Sequence, residues 1–435
     1  MPLKLTPTSP SGAVLKSTIE NAEHIIHVLL DAVQDNGTGE LRVELAGTNV
    51  SPFGDIATAE NTPILQLDFV YGINTQTGVS TTANSATVDT SAGRLRLQCG
   101  TNAAGSAIFN SRRIAKYRPG QGVTARFTPV FAPGVAGNTQ IIGMGNVNDG
   151  YFFGYNGTSF GLMHRNRGVD SWVPQTGWNT DKCDGTGRSG FTWNPQLGSP
   201  VMIRYPYLGY GDVKFYVQNS EDGYWVLCHI LKYSNSSDAT QVGNPSLFFY
   251  ARNLNAGNVS NRIMYCGSVG VFLHGRKELV SPKWAANNNK SGITAETNIL
   301  SIRNATTYNG ITNRALVRLT SLSISSSAAS GIGIFRMRLG ATVGGAPSFT
   351  PINGVTADNG VTITSGNSVA SVDVAGTTAT AGLLIFNATV DNPNTEIVDL
   401  LPYEIFLAPG ETLTISGEST IASALGVALN WSEDL

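Results

Sequence analysis

The 435-residue chain carries 28 Lys and Arg against 30 Asp and Glu, a net charge of −2, and only 13% of its residues are charged. Ordinary soluble domains hold roughly 25%. This balance excludes a coiled coil, which needs far more Ala, Glu, Lys and Leu. It also excludes the basic excess of a nucleic-acid binder and the low hydrophobicity with high net charge of a disordered chain. With 41% apolar residues and 49 glycines, and much Ser, Thr, Asn and Val, the composition predicts an all-β fold of many short strands and turns.

Residues 1–40 read as an arm and a single helix. Pro2, Pro7 and Pro10 extend the arm. Ser17 and Glu20 then fit a capping box, and Ala22, Ile25, Ile26, Leu29, Leu30 and Val33 recur at helical spacing up to Asn36–Gly37. His24 and His27 lie three apart on this helix, but no third ligand is near, so they read as surface or interface residues. The N-terminus has no apolar signal segment, which predicts synthesis and folding in a cytosol, or departure by a route that needs no signal. No run of 18 apolar residues occurs, so no membrane insertion is expected.

From Leu41 the pattern becomes strands. Leu41–Leu45, Ile64–Val70, Leu95–Gln98 and Thr124–Phe131 alternate apolar and polar residues, as strands with one buried face do. Pro129 marks the last as an edge or bulged strand. Asp149–Gly150, Asn156–Gly157, Asp184–Gly185 and Asp222–Gly223 are turn signals. A large jelly-roll-like β-sandwich is therefore predicted over 41–280. The polar run Ala285–Lys290 predicts a linker over 281–310. A smaller C-terminal β-sandwich follows over 311–435, with strands at Ala315–Leu322, Gly333–Leu339, Thr412–Ser416 and Gly426–Trp431. Residues 311–435 hold four arginines, no lysine and ten acidic residues, net −6, while the rest carries 24 basic and 20 acidic residues, net +4. Ordinary surface variation is the simpler reading of this imbalance, and head-to-tail packing of subunits the alternative.

No catalytic motif is found: no nucleophile elbow, Walker loop, dinucleotide fingerprint or His-Glu-x-x-His helix. No catalytic, cofactor or metal residue is therefore predicted. Cys99 and Cys228 sit in strand-like runs and read as buried free thiols. Four cysteines in a chain this long do not make a disulfide scaffold. Asp181–Gly190 lacks the distal acid of a calcium loop and reads as an Asp–Gly turn. Paired carboxylates for glycoside hydrolysis are neither indicated nor excluded. The aromatics are more informative. Tyr151, Phe152, Phe153, Tyr155 and Phe160 crowd one stretch, and Trp172, Trp178, Trp193, Tyr205, Tyr207 and Tyr210 follow. Most read as sandwich core. Because alternate strand residues face opposite ways, some must face outward. Trp172, Trp178, Tyr207 and Tyr210 are the candidates for a ligand or receptor surface.

A family signal lies in the same region. Asp149–Gly150, Phe152–Phe153–Gly154–Tyr155–Asn156–Gly157 and Phe160–Gly161 form a spaced signature within IIGMGNVNDGYFFGYNGTSFG, with SRRIAKYRPGQGVTARF upstream and YPYLGYGDVKFYV and NPSLFFYARN downstream. Together these resemble a module of structural proteins of tailed bacteriophages and some large DNA viruses, over about half the chain. Val317–Ser325, Leu407–Ile415 and Ala428–Trp431, followed by acidic residues, resemble a β module at the C-termini of phage virion proteins. The whole is similar to the tail sheath and appendage proteins of short-tailed Schitoviridae-type phages. Cys183 and Arg188 depart from the pattern of their loop. The resemblance implies a non-enzymatic virion protein, assembled in the host cytoplasm into a homo-oligomer. Its expected partners are copies of itself, other tail or portal-vertex proteins and a host surface receptor. The low charge agrees, because interface cores are depleted in charged residues. A receptor- or glycan-binding adhesin or head fibre is the alternative. A glycan depolymerase is less favoured, because the chain lacks the fixed-period repeat of a β-helix.

Overall fold

The structure, a computed structural model, describes residues 61–275, 281–327, 329–352, 355–358, 361–364, 368–391 and 393–434, with 355–358 and 361–364 as backbone alone. The predicted arm and helix, His24, His27 and Leu41–Leu45 lie outside the described residues. Residues 60–435 form one compact unit. It is nearly all β, with 57% of the described residues in strands. Among the described residues the only helices are two three-residue 3-10 turns, Gln175–Gly177 and Leu401–Tyr403.

Strands between residues 61 and 274 build a jelly-roll-like sandwich of two antiparallel sheets. The eight-stranded sheet runs Trp225–Leu231, Val213–Gln218, Val201–Tyr205, Val123–Val130, Ile263–His274, Arg94–Gln98, Thr87–Ser91, and Asn61–Asp68 also pairs with Ile263–His274. The seven-stranded sheet runs Val169–Pro174, Ser159–Asn166, Gly150–Asn156, Asn138–Gly145, Phe248–Asn255, Ser106–Ser111, Gly78–Ala83. Neighbours distant in sequence, such as Ser106–Ser111 beside Phe248–Asn255, reflect the crossovers of this architecture. The core between the sheets is aromatic. Phe127 and Phe153 meet at 6.4 Å, Phe153 and Phe215 at 5.5 Å, and Phe160 and Trp193 at 5.1 Å, all edge-on, the preferred geometry for ring pairs. Pro129 sits in a central strand, where the register with Ile263–His274 slips between Cys266 and Val269. A bulge there accommodates the residue that cannot donate to the ladder.

A second sandwich follows. One sheet runs Lys283–Ile293, Ser423–Asp434, Leu316–Ser326, Asn394–Asp399; the other runs Thr350–Pro351, Ala370–Asp373, Thr297–Asn304, Thr412–Ser419, Ile332–Leu339, Leu383–Asp391. Trp431, Phe335, Leu319 and Ile302 centre its core. The linker expected over 281–310 is corrected here. Ala285–Lys290 lies inside the edge strand Lys283–Ile293, paired residue by residue with Ser423–Asp434, and Thr297–Asn304 is a strand of the facing sheet. An edge strand with one wet face tolerates this polar composition.

The two sandwiches are joined by ion pairs. Arg112 pairs with Glu411, Arg113 with Glu404 at 2.5 Å and Arg118 with Asp434 at 3.1 Å. In the reverse sense Arg314 pairs with Asp149 at 3.0 Å, both buried. The charge imbalance between the modules is therefore used within the chain, where basic residues of the first sandwich meet acidic residues of the second.

All four cysteines are free and buried. Cys183 and Cys228 sulfurs lie 3.3 Å apart as a thiol contact, and burial pushes the Cys228 thiol up. Protonated, enclosed thiols are inert. An aromatic disulfide reagent should therefore release no thiolate from the native protein and four equivalents after denaturation. Rapid native reaction at Cys183 or Cys228 would contradict this burial.

Candidate ligand-binding face

Strand alternation divides the seven-stranded sheet cleanly. Phe153, Leu162, Ile142, Phe249 and Phe109 belong to the core between the sheets. Their neighbours Phe152, Met163, Ile141 and Tyr250 form a separate cluster on the other face, against which Ile108 and Trp172 pack. Register aligns this outer cluster into a row: Trp172 opposite Met163, Met163 opposite Phe152, Phe152 opposite Gly143, Gly143 opposite Tyr250, Tyr250 opposite Asn110. On one side runs Asp170–Arg165–Gly150–Gly145, on the other Pro174–Gly161–Gly154–Ile141–Arg252–Ile108.

Glycine shapes this face. A Cβ at Gly145 or Gly150 would lie 2.3 or 2.6 Å from Phe152 Cζ. The Phe152 ring therefore lies down over both and is fully buried. Arg165 then sits over Phe152, its guanidinium carbon 5.7 Å from the ring centroid, a cation–π contact. Two hydrogen bonds to Asp170, at 2.6 and 2.9 Å, and one to the Asn146 carbonyl hold the Arg165 guanidinium in place. Tyr250 meets Phe152 edge-on at 5.9 Å.

Two polar groups here are unusual. Tyr250 is 3% exposed; its hydroxyl makes no well-formed hydrogen bond and lies beside the Arg252 and Arg165 guanidiniums. Arg252 is half-buried; among the described residues it forms no ion pair, and its Nε is buried without a well-formed hydrogen bond. Burial lowers the Arg252 pKa and raises that of Tyr250, and each is partly offset by the other. Buried polar groups are normally bonded, and an orphan costs about 1–3 kcal/mol. The arrangement offers an aromatic ledge at Trp172 and a guanidinium at Arg252, with a buried phenol beneath, set across five strands.

The four residues proposed from sequence part company. Trp172 is half-buried on this face. Trp178 is not on the surface: it is 3% exposed and packs in the core near Phe160 and Trp193. Tyr207 is also core, its hydroxyl donating to the Val242 carbonyl at 2.9 Å. Both residues lie outside the strands, and their rings join the core cluster between the sheets. Tyr210 is exposed, donates to the Asp238 carbonyl and lies 6.3 Å from Tyr233. It belongs to a separate tyrosine pair away from the Trp172 row. Arg165, Asp170, Tyr250 and Arg252 were missed. Alternation within Tyr151–Tyr155 signals an outward Phe152, but only register brings Tyr250 and Arg252 beside it. In the turn Asp181–Gly190, the Asp181 carboxylate accepts from the Cys183 and Ser189 amides, and Asp184 from Thr186. These carboxylates brace their own loop.

Three histidines border the first sandwich. His164 stacks on Tyr151 and donates from Nε2 to the Gln241 carbonyl at 2.7 Å; His229 Nδ1 accepts from the Asn179 amide; His274 contacts Thr124. Burial depresses all three pKa values below 6.5, with Arg204 and Arg126 adding to the effect at His274. The unfolded chain then binds more protons than the folded one in this window. Stability is complete above pH 6.5 and falls as pH drops below it toward the folded values. The urea midpoint should be lower at pH 5.5 than at 7.5, and His164→Gln should flatten that slope. Equal midpoints at the two pH values would contradict it.

No family model matches the chain, and no curated protein matches its sequence. Solved structures show loose likeness over about half of it. An endo-1,3-beta-glucanase from Streptomyces sioyaensis is 11% identical, covers 50% of this chain and 97% of its own, and gives a TM-score of 0.35. The lectin UEA-II complexed with galactose is 10% identical over 49% of this chain and 99% of its own, with a TM-score of 0.32. The Emp47p carbohydrate recognition domain is 12% identical over 51% and 100%, with a TM-score of 0.30. At these values the likenesses carry no functional weight.

Proposed function

We propose that this chain is a non-enzymatic carbohydrate-binding attachment protein, with the outer face of the seven-stranded sheet as its binding surface. The observation that carries this reading is half-buried Trp172 and half-buried Arg252 on one face of the sheet, Arg252 having no ion pair among the described residues. An aromatic ledge stacks on the apolar face of a sugar ring, and a guanidinium meets its hydroxyls. The resemblance to phage virion proteins supplies the setting, a virion surface meeting a host glycan. Binding to a panel of bacterial surface polysaccharides tests it. Trp172→Ala and Arg252→Met should each weaken binding at least tenfold, about 1.4 kcal/mol, with little change in melting temperature. Unchanged affinity in both variants, or no binding across the panel, would reject the reading.

A second reading, a self-assembling tail sheath or appendage subunit, is favoured by one feature. The edge strands Asn394–Asp399 and Leu383–Asp391 expose Ile397 at 79% and Leu383 and Leu384 at 44% each. Exposed apolar strand edges are templates for pairing with another chain. A native mass that is a fixed multiple of 45.9 kDa across a concentration series, reduced to one unit by Ile397→Lys, supports it. A monomer at every concentration rejects self-assembly.

A further inference from the structure

A cavity of about 260 Å³ lies in the seam between the two sandwiches. Its walls are apolar on both sides, with Ile64, Ile114 and Leu273 from the first sandwich and Leu316 and Phe406 from the second. Its polar lining is unbalanced. Arg113 is matched by Glu404 and Arg118 by Asp434, at 2.5 and 3.1 Å. Lys116 and Arg318 also line the cavity, and among the described residues neither has a carboxylate within ion-pair distance or a side-chain hydrogen bond. Both are half-buried. Burial lowers the Lys116 pKa, with Arg118 adding to the effect and Asp434 opposing it. Lys116 thus shares the Asp434 carboxylate with Arg118, and a partly desolvated cation with only a shared counter-charge, or none, is costly. Two of them lining one cavity make that space electropositive.

We infer that this seam cavity is a binding site for a small organic anion, a carboxylate-bearing sugar such as a uronate. Lys116 and Arg318 would hold the carboxylate, and the apolar walls would take the ring. The volume suits a single sugar residue. A second groove of about 700 Å³ shares Pro63, Ile64, Arg113, Glu404 and Phe406 with the cavity. The site therefore opens along the seam, and a longer acidic saccharide has room to continue. Residues from both sandwiches form the site, so an occupant bridges them and stabilises their docking by mass action. This inference is independent of the sheet-face reading, because the residues do not overlap.

The test uses the full chain, with glucuronate, glucose, inorganic phosphate and sodium chloride as probes, each followed by calorimetry and thermal melting at matched ionic strength. Glucuronate should bind and raise the melting temperature, while glucose should do neither. Lys116→Met with Arg318→Met should reduce glucuronate affinity at least tenfold. The fold should survive, because the change removes unpaired cations from a partly apolar site. Its unliganded melting temperature, at or above that of the parent, is the check on folding. Trp172→Ala should leave glucuronate binding unchanged, which separates this site from the sheet face. Phosphate binding as tight as glucuronate would assign the site to inorganic oxyanions and overturn the sugar-acid assignment. No response to either anion beyond that to chloride, or full binding by the double variant, would overturn the site itself.

Discussion

Asp149→Ala is expected to destabilise the protein by about 3–5 kcal/mol, the cost of breaking a buried ion pair on one side. The Asp149 carboxylate, 3% exposed, accepts from the Gly243 amide at 2.7 Å, the Arg167 amide at 3.2 Å and Arg314 Nη2 at 3.0 Å. Arg314, 7% exposed, donates its other hydrogens to the Asn244 and Ser246 carbonyls at 2.8 and 3.0 Å. Removing the carboxylate strands a guanidinium inside the seam and leaves two amides without their acceptor. Arg314→Met in the same chain should recover part of the loss, because it removes the uncompensated charge. The pair also ties the two sandwiches together, so the single variant should split one unfolding transition into two. Urea titration followed by far-ultraviolet dichroism and tryptophan fluorescence reads both effects. A loss below about 1 kcal/mol would mean that the pair merely breaks even against its desolvation.

Trp431→Ala should cost a comparable amount, about 3–5 kcal/mol, as for other large-to-small core changes. Trp431 is fully buried at the centre of the second core. Its indole nitrogen donates to Glu433 at 3.0 Å. Glu433 is itself fully buried and also accepts from the Ser368 hydroxyl and the Val369 amide. Truncation therefore opens a cavity and takes one donor from a buried carboxylate. Trp431→Leu keeps most of the volume and isolates the polar part, which should be about 1.5–3 kcal/mol for a hydrogen bond to a charged acceptor. Calorimetric melting compares the two. Equal losses for Ala and Leu would show that the Glu433 contact, not packing, dominates.

Both cases show how far the sequence reaches. The run ending in Ala428–Trp431 with acids after it was legible as a strand, and alternation put Trp431 on one face. That Glu433 would turn inward to the indole was not legible, because acidic residues near a chain end read as solvated. The linker expectation failed for a related reason. Ala-Ala-Asn-Asn-Asn-Lys has turn-like composition, yet Lys283–Ile293 is a strand because Ser423–Asp434, over a hundred residues away in sequence, pairs with it. β-propensity yields to such pairing.

The same division runs through the candidate sites. Alternation in Ile64–Val70, Thr124–Phe131, Ala315–Leu322 and Gly333–Leu339 follows from residue chemistry alone, since period-2 burial is local geometry. It settles that the protein is built of antiparallel sheets with one face packed. Which outward residues become neighbours is not local. Trp172, Phe152 and Tyr250 share a row only through the register of five strands, and Lys116 and Arg318 line one cavity only because one sandwich docks on the other. A one-residue slip in any of those pairings would turn a whole strand over. Sequence thus determined the all-β class and most strand faces, while long-range pairing and docking decided the sites, because both join segments whose separation leaves no trace in local pattern.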